Sequence, residues 1–240
     1  MSERDELFSL LMEEAGLVPE APTFLPSLQV GDPIPLSSGQ ERLWLLEQLD
    51  GPSSRYNNGL GLRLRGALDR EALERALGLI LERHEPLRTV VEATGEGPVQ
   101  CILPAGPVRL EPVPVSAGDL ATEAGRFVDR PFLLQRDMPA RFALYTMGPE
   151  DHFLALCLHH AASDGWSFSV FLEELEAGYR AFSGGASPLL PPLPARYAQF
   201  AAAQREAPER HEPGIRYWRE RLQDAPSLLD LPLDHPRRPG

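Results

Sequence analysis

The sequence predicts an α/β fold, because segments with the pattern of strands alternate with segments with the pattern of helices along the chain. Two observations carry this prediction. The apolar run 153–158 has the length of a buried strand and is followed directly by polar residues. Beyond it, apolar side chains recur at the spacing of one helix face, at Phe168, Phe171, Leu172, Leu175, Tyr179 and Phe182. We therefore expect a mixed sheet packed with helices, with this apolar stripe in the core rather than at a cofactor site.

Composition restricts the class of protein. The 240 residues carry a formal net charge of −12, which argues against a nucleic-acid partner. No apolar run reaches the roughly 20 residues that cross a bilayer, and the charged amino terminus does not have the pattern of a secretory signal. Cys101 and Cys157 are too few for a disulfide framework. We expect a protein of the cytoplasm, without membrane or nucleic-acid partners.

The first 33 residues form a separate predicted segment. Residues 5–15 carry apolar side chains at helical spacing, and Gly16 then favours a helix end. Prolines recur over 18–35, which is typical of a linker. Two interpretations of the helix stay open: a cap that packs on the following domain, or a docking or inter-domain helix that faces a neighbouring protein.

The rest of the chain is predicted to alternate between strands and helices. The predicted strands are 58–65, 87–91, 99–103, 108–115, 141–146 and 152–159, the last two paired around the turn 148–151. The predicted helices are 37–49, 70–83 with Asp69 as its cap, 120–128, a helix that begins at Trp166, 197–204 and 214–222. The stretch 183–194 is rich in Gly and Pro and predicts a loop.

Two adjacent histidines follow the apolar run 153–158. Successive side chains of a strand point to opposite faces, so only one of His159 and His160 can face a given cavity. This geometry argues against a metal site built on both, and no cluster of Cys and His has suitable spacing for a metal. An imidazole titrates near neutral pH, which suits a general base or a hydrogen-bond partner for an amine. A purely structural pair of histidines is the alternative.

The segment from His159 to Gly165 resembles a known signature. Its pattern is similar to the His-His-x-x-x-Asp-Gly motif of the condensation domains of nonribosomal peptide synthetases, which the chloramphenicol acetyltransferase superfamily shares more loosely. Three further segments resemble motifs of the same family in the same order: Ser37-Ser38-Gly39-Gln40-Glu41-Arg42-Leu43-Trp44, Arg83-His84-Glu85-Pro86-Leu87-Arg88-Thr89 and Tyr197-Ala198-Gln199-Phe200. The resemblance implies the amino-terminal lobe of a condensation domain over 34–230, with the sandwich fold of chloramphenicol acetyltransferase. Residues 231–240 resemble the start of the linker between the two lobes.

By this resemblance, the chain takes part in forming an amide bond. A condensation domain joins a donor acyl thioester to the amine of an acceptor aminoacyl thioester, and carrier proteins hold both substrates on phosphopantetheine arms. The implied partners are the upstream and downstream carrier proteins and the second lobe, and the domain itself binds no cofactor. Because the family's tunnel runs between two lobes, the resemblance implies that this lobe alone is inactive.

The resemblance also assigns roles to single residues. His160 corresponds to the family's catalytic histidine, acting as a base or as a hydrogen-bond partner of the attacking amine, and His159 supports it from the other face. Asp164 corresponds to a structural aspartate that pairs with an arginine. Arg88 is the first expected partner and Arg83 the second.

The residues after Asp164 complete the implied site. Gly165 allows close approach of the backbone, and its amide is placed to help position the donor group. Trp166 and Ser167 begin the following helix and either line the tunnel or serve in packing and capping. Elsewhere, Asn58 departs from the apolar residue expected at that position, which weakens any assignment to a subtype.

Two other functions stay open. The chain is then either a docking lobe for carrier proteins without turnover of its own, or a stand-alone acyltransferase of the superfamily that uses soluble acyl-CoA. The close match of 83–89 favours a condensation domain over the acyl-CoA enzyme. The two histidines exclude a heterocyclisation domain, whose motif carries aspartates instead, and the run 40–44 favours condensation over epimerisation.

Overall fold

The computed structural model describes residues 33–206 and 212–226, together with 232 and 234. The predicted helix at 5–15, most of the predicted linker at 18–35 and nearly all of 231–240 lie outside these residues. The chain divides into two compact units, Met1–Gln204 and Arg205–Gly240. Within the described residues, no helix is long and apolar enough to cross a membrane.

Strands and helices alternate as the sequence predicts. The strands are β1 (Ile34–Pro35), β2 (Asn57–Arg65), β3 (Thr89–Thr94), β4 (Gly97–Ile102), β5 (Pro112–Pro114), β6 (Ala140–Gly148) and β7 (Asp151–His159). The helices of the first unit are α1 (Ser38–Asp50), α2 (Arg70–Arg83), α3 (Leu120–Asp129), α4 (Gly165–Ser183) and α5 (Tyr197–Glu206), whose last two residues cross into the second unit. The second unit contains α6 (Glu212–Leu222).

The larger sheet has the strand order β2-β7-β6-β5. Strands β6 and β7 form the predicted antiparallel hairpin, and β2 pairs with β7 along its whole length. Strand β5 pairs in parallel with β6 and covers only Pro112–Pro114, where the sequence predicted 108–115. Two of its three residues are prolines without an amide hydrogen, so this strand is limited to a short piece at the sheet edge.

The smaller sheet has the strand order β1-β4-β3. Strand β1 lies in the stretch that was predicted to be linker. The predicted strand 87–91 is displaced, because a 3-10 turn with Pro86 occupies Glu85–Arg88 and β3 begins only at Thr89. The turn places Leu87 in the core and lets Arg88 reach back to the preceding helix.

Helices α2 and α4 pack antiparallel over one face of the larger sheet. Gly178 allows this close packing, since a Cβ there would lie 3.1 Å from the Cβ of Ala76. At one end of the pair the backbone N–H of Asp69 donates to the hydroxyl of Tyr179 at 3.1 Å. The buried core between helices and sheet includes Leu73, Leu77, Ile80, Leu154, Leu156, Leu158, Phe171 and Leu175. The apolar stripe of α4 is therefore core, as predicted.

The opposite face of β2 carries glycine where it meets α3. A Cβ on Gly59 would lie 2.7 Å from the Cγ2 of Val128, and a Cβ on Gly61 would collide with the ring of Phe153. Leu60, between them, points instead towards the core formed with α2 and α4. The alternation of glycine and leucine along β2 thus brings α3 close to the sheet on one side and fills the core on the other.

Candidate functional site

The two adjacent histidines lie on opposite sides of the larger sheet, as the strand alternation predicts. His159 is the last residue of β7, and its side chain is buried with 4% exposure. The rings of Tyr56 and Phe132 meet it edge-on, with ring centroids 6.3 and 5.8 Å from its own. His160 continues the face of Leu158 and is exposed at the wall of a cavity.

Burial keeps His159 neutral. Its pKa is lowered to about 4, mainly by loss of solvent and to a smaller extent by the neighbouring His160 and Arg141. Its Nδ1 accepts a hydrogen bond from the backbone N–H of Ala161 at 3.1 Å, and a neutral ring that accepts there carries its proton on Nε2. His159 therefore shapes the turn that follows β7 and does not itself face the cavity that His160 lines.

The same turn determines which nitrogen of His160 is available. The Nδ1 of His160 lies 2.8 Å from the carbonyl oxygen of Ser163, and a carbonyl oxygen only accepts hydrogen bonds. Nδ1 must therefore carry the proton of the neutral ring, which leaves the lone pair on Nε2. The hydroxyl of Ser163 donates to the carbonyl of His159 at 3.2 Å and closes the turn from inside.

His160 lies on the wall of an open cavity of about 690 Å³. The cavity brings together the two central motifs, since it is lined by His84 and Arg83 as well as by Asp164. Trp166 and Ser167 also lie on this wall, and Trp166 is 72% exposed. Leu193 and Phe200, from the coil after α4 and from α5, contribute apolar side chains.

Asp164 caps a helix, and the predicted partnership with Arg88 or Arg83 is wrong in this structure. Asp164 is exposed and begins α4, where its Oδ1 accepts from the backbone N–H of Ser167 at 2.9 Å and from the hydroxyl at 2.7 Å. The Ser167 hydroxyl and amide lower the pKa of the Asp164 carboxyl. Within the described residues, no arginine forms an ion pair with it.

Arg83 pairs with a different carboxylate of the same helix. Its Nε donates to Glu174 Oε1 at 2.9 Å, and His84 Nε2 lies 2.7 Å from Glu174 Oε2. Glu174 is ten residues beyond Asp164, which is about 15 Å along a helix axis. Helices α2 and α4 run antiparallel, with the start of α2 beside Tyr179 and Arg83 beside Glu174, so the first turns of α4 extend past the end of α2.

Arg88 is engaged with backbone carbonyls. Its Nε donates to the carbonyl of Leu81 at 3.0 Å, and its terminal nitrogens donate to the carbonyls of Glu82 and Leu103. The first two belong to the last turn of α2, whose carbonyls have no partner inside the helix. Arg88 therefore ends α2 and ties it to the chain after β4.

Gly165 is the first residue of α4. A Cβ at this position would meet nothing within 4 Å, so the close approach predicted for Gly165 is not made by any described residue. Its two chain neighbours, Asp164 and Trp166, line the cavity.

The first and last motifs join next to the cavity. The hydroxyls of Ser37 and Tyr197 are 2.8 Å apart, and the backbone N–H of Ser38 donates to Gln204 Oε1 at 2.8 Å. Arg196, just before α5, pairs with Glu85 of the second motif at 2.9 Å. The motifs, far apart in sequence, thus form one connected structure.

Sequence reasoning missed three contributors to the site. Glu174 falls on the buried face of α4 between Phe171 and Leu175, and a carboxylate in an apolar stripe signals a buried partner. The carbonyl of Ser163 leaves no signal in the side-chain pattern. Asn58 was noted only as a departure from the family pattern, yet its Nδ2 lies 3.3 Å from His160 Nδ1.

Comparison with known sequences points to one family. The sequence model of the condensation domain matches residues 30–240. Chondramide synthase cmdD of Chondromyces crocatus is 41% identical over 95% of this chain, and the phosphinothricin tripeptide synthetase PhsC of Streptomyces viridochromogenes is 38% identical over 85%. The chain spans only 6% and 20% of the length of these two relatives.

Comparison with solved structures agrees with this result. The X-domain in the complex of the X-domain and OxyB from teicoplanin biosynthesis matches 90% of this chain with a TM-score of 0.79 and 33% identity. The first condensation domain of the CDA synthetase matches 82% with a TM-score of 0.71 and 27% identity. The chain covers 49% and 52% of these two structures, so it spans about half of each.

Proposed function

The chain belongs to the condensation domain family, and on that premise we propose that it supplies the histidine-bearing lobe of an enzyme that forms amide bonds. The observation that carries the proposal is the state of His160. Its Nδ1 is held by the carbonyl of Ser163, and its ring lies on the wall of a cavity of about 690 Å³. The proposed substrates are a donor acyl thioester and an acceptor aminoacyl thioester, each on a carrier protein.

The proposed reaction needs one proton acceptor beside the attacking nitrogen. The acceptor amine attacks the donor carbonyl carbon, and Nε2 of His160 takes a proton from that nitrogen as the carbon–nitrogen bond forms. The carbon–sulfur bond then breaks, and the leaving sulfur takes the proton back from the imidazolium. The products are an amide and a free thiol on the donor arm, and the imidazole is regenerated.

The remaining acceleration comes from holding two tethered substrates together. A thioester is already activated, so correct placement of two pantetheine arms accounts for most of the proposed effect. One wall of the cavity comes from the motifs of this chain. We assign the facing wall to a second lobe, because the chain spans about half of the condensation domain structure to which it is similar.

The test is a coupling assay in which two loaded carrier proteins are supplied to this chain extended by the second half of a condensation domain. His160→Ala should lose about 10²–10⁴-fold in rate, which is the usual contribution of a general base. The matched control is His152→Ala, because His152 lies at the opposite end of β7 beside the hairpin turn. Full activity of His160→Ala contradicts the catalytic role, and amide formation by the 240-residue chain alone contradicts the half-site role.

A second candidate function is a docking lobe without turnover. It is favoured by the similarity to an X-domain whose structure was solved in complex with OxyB. This function predicts that the two-lobe protein forms no amide yet binds a carrier protein equally well with and without His160→Ala. The same assay distinguishes both of these functions from a stand-alone acyltransferase. An acyltransferase of that kind would form product with acyl-CoA in place of the loaded donor carrier protein.

A further inference from the structure

Asn58 reaches the working imidazole from the neighbouring strand. Its residue in β2 is paired with Leu158 of β7, so its side chain emerges at the strand end where the chain turns into His160. The Nδ2 of Asn58 lies 3.3 Å from Nδ1 of His160. Asn58 belongs to none of the four motifs that identified the family, and the proposed reaction does not use it.

Two groups thus meet the same ring nitrogen. The carbonyl of Ser163, 2.8 Å away, can only accept, and it requires a proton on Nδ1. If the NH₂ group of Asn58 also faced this nitrogen, two hydrogen-bond donors, the amide N–H and the Nδ1–H of His160, would point at each other, which is unfavourable. The two ends of an amide are nearly equal in shape, so a half-turn about its last bond exchanges oxygen and nitrogen without steric change.

We infer that Asn58 is a positioning residue that presents Oδ1 to the Nδ1–H of His160, so that this proton is shared between Asn58 and the Ser163 carbonyl. Two acceptors from different segments hold the ring against rotation and keep the lone pair on Nε2. When Nε2 takes a proton, the Nδ1–H becomes a charged donor, and its hydrogen bonds to both oxygens strengthen. The catalytic meaning of this inference rests on the proposed function, whereas the contact itself lies within this chain.

Two substitutions distinguish the oxygen from the nitrogen of Asn58. Asn58→Asp keeps an oxygen acceptor and removes the NH₂ group, whereas Asn58→Val removes both and suits a strand. Asn57→Asp is the matched control. Asn57 is the preceding residue of β2, and its Nδ2 donates instead to the carbonyls of Val128 and Arg130 at 2.6 and 2.9 Å.

The first measurement is nitrogen-15 NMR of the ring of His160 in the 240-residue chain, at a pH where imidazoles are neutral. Wild type and Asn58→Asp should show a protonated Nδ1 and an unprotonated Nε2. Asn58→Val should move both signals part of the way towards the tautomer mixture of a free imidazole, because the Ser163 carbonyl is then the one acceptor left on Nδ1. Asn57→Asp should lower the melting temperature and leave the ring signals unchanged.

The second measurement is the coupling assay with the two-lobe protein. Asn58→Val should lower kcat about tenfold with KM unchanged, less than the ~10²–10⁴-fold of the base itself, and Asn58→Asp should restore most of it. Loss of the Nδ1–H signal in Asn58→Asp, or unchanged ring signals in a folded Asn58→Val, overturns the inference. The NMR signals of the His160 ring do not depend on catalytic activity. If these signals are as expected but the two-lobe protein forms no amide, the proposed function is contradicted and the inference about Asn58 stands.

Discussion

At the scale of single residues, Asp164 shows how one contact changes an expected effect. If Asp164 were the buried partner of an arginine, its removal would leave the charge of that arginine unpaired. As the exposed cap of α4, it contributes only its hydrogen bonds to Ser167. We predict that Asp164→Ala lowers the free energy of unfolding by about 1 kcal/mol, typical of a lost helix cap. Asp164→Asn should be close to wild type, because asparagine caps equally well. Chemical denaturation measures the free energy of unfolding of both variants. A loss of several kcal/mol in Asp164→Ala would contradict the capping role and support a buried ion pair between Asp164 and an arginine.

His159 predicts a pH dependence of stability whose sign follows from burial. Its pKa falls from 6.5 to about 4 on folding, so between these values the unfolded chain binds more protons than the folded one. The stabilisation is complete above pH 6.5 and is lost as the pH falls towards 4. For this one group, the loss between pH 7 and pH 5 is about 2 kcal/mol.

The matched variant is His159→Asn, which does not titrate and keeps an acceptor for the backbone N–H of Ala161. Urea unfolding of both proteins at pH 7 and pH 5 isolates the contribution of this residue. The variant should lose less stability than wild type over that interval. Equal losses in the two proteins would mean that His159 titrates alike in the folded and unfolded chain.

The two histidines also show what the sequence can predict at this scale. Strand alternation is a local property, and it correctly placed His159 and His160 on opposite faces. The partner of Asp164 depends instead on how α2 and α4 are aligned, which no local pattern contains. The Ser163 carbonyl and Asn58 act through a backbone atom and a neighbouring strand, so they too needed the structure.

At the scale of elements, the contact between α2 and α4 depends on Glu174. Its side chain is about one-tenth exposed and binds both Arg83 and His84. We predict that Glu174→Ala lowers the free energy of unfolding by about 3 kcal/mol, the lower end for breaking a buried ion pair. The loss stays at this end because Arg83 keeps its hydrogen bond to the carbonyl of Pro191.

Glu176→Ala is the control on the same helix. Glu176 pairs with Arg180 on the surface, where both side chains are more than two-thirds exposed. Its loss should change stability by no more than about 0.5 kcal/mol. Thermal or chemical unfolding compares the two variants, and equal effects would show that the Glu174 cluster does not hold α2 against α4.

Element boundaries were predicted best where a local signal marks them. Asp69 accepts from the backbone N–H of Ala72 at 2.9 Å and begins α2 where the sequence placed its cap. The predicted strand at 108–115 proved too long, because two prolines restrict its pairing to Pro112–Pro114. Strand β1 was missed, since two residues carry no periodicity and exist only through pairing with β4.

At the scale of the whole molecule, the motif order predicted the family and the general architecture. It did not predict how the motifs meet. Ser37 contacts Tyr197, Glu85 contacts Arg196, and Arg83 contacts Glu174, so the first, second and last motifs are each held by another segment of the chain. Such pairings follow from three-dimensional packing, and the spacing of residues within one motif contains no information about them.

The contact between Ser37 and Tyr197 has a consequence for the order of events during protein synthesis. The capping bonds between Ser37 and Gln40 join neighbours and can form as soon as both residues leave the ribosome. The hydroxyl of Tyr197 is 160 residues away, which at ~5–20 residues per second is roughly 8–32 s of translation. The first motif to be synthesised, at Ser37, is thus among the last to form its contact with the rest of the fold. In the last part of that interval, while residues 161–197 are being made, the nascent chain already carries His160 but the wall beside it is still incomplete.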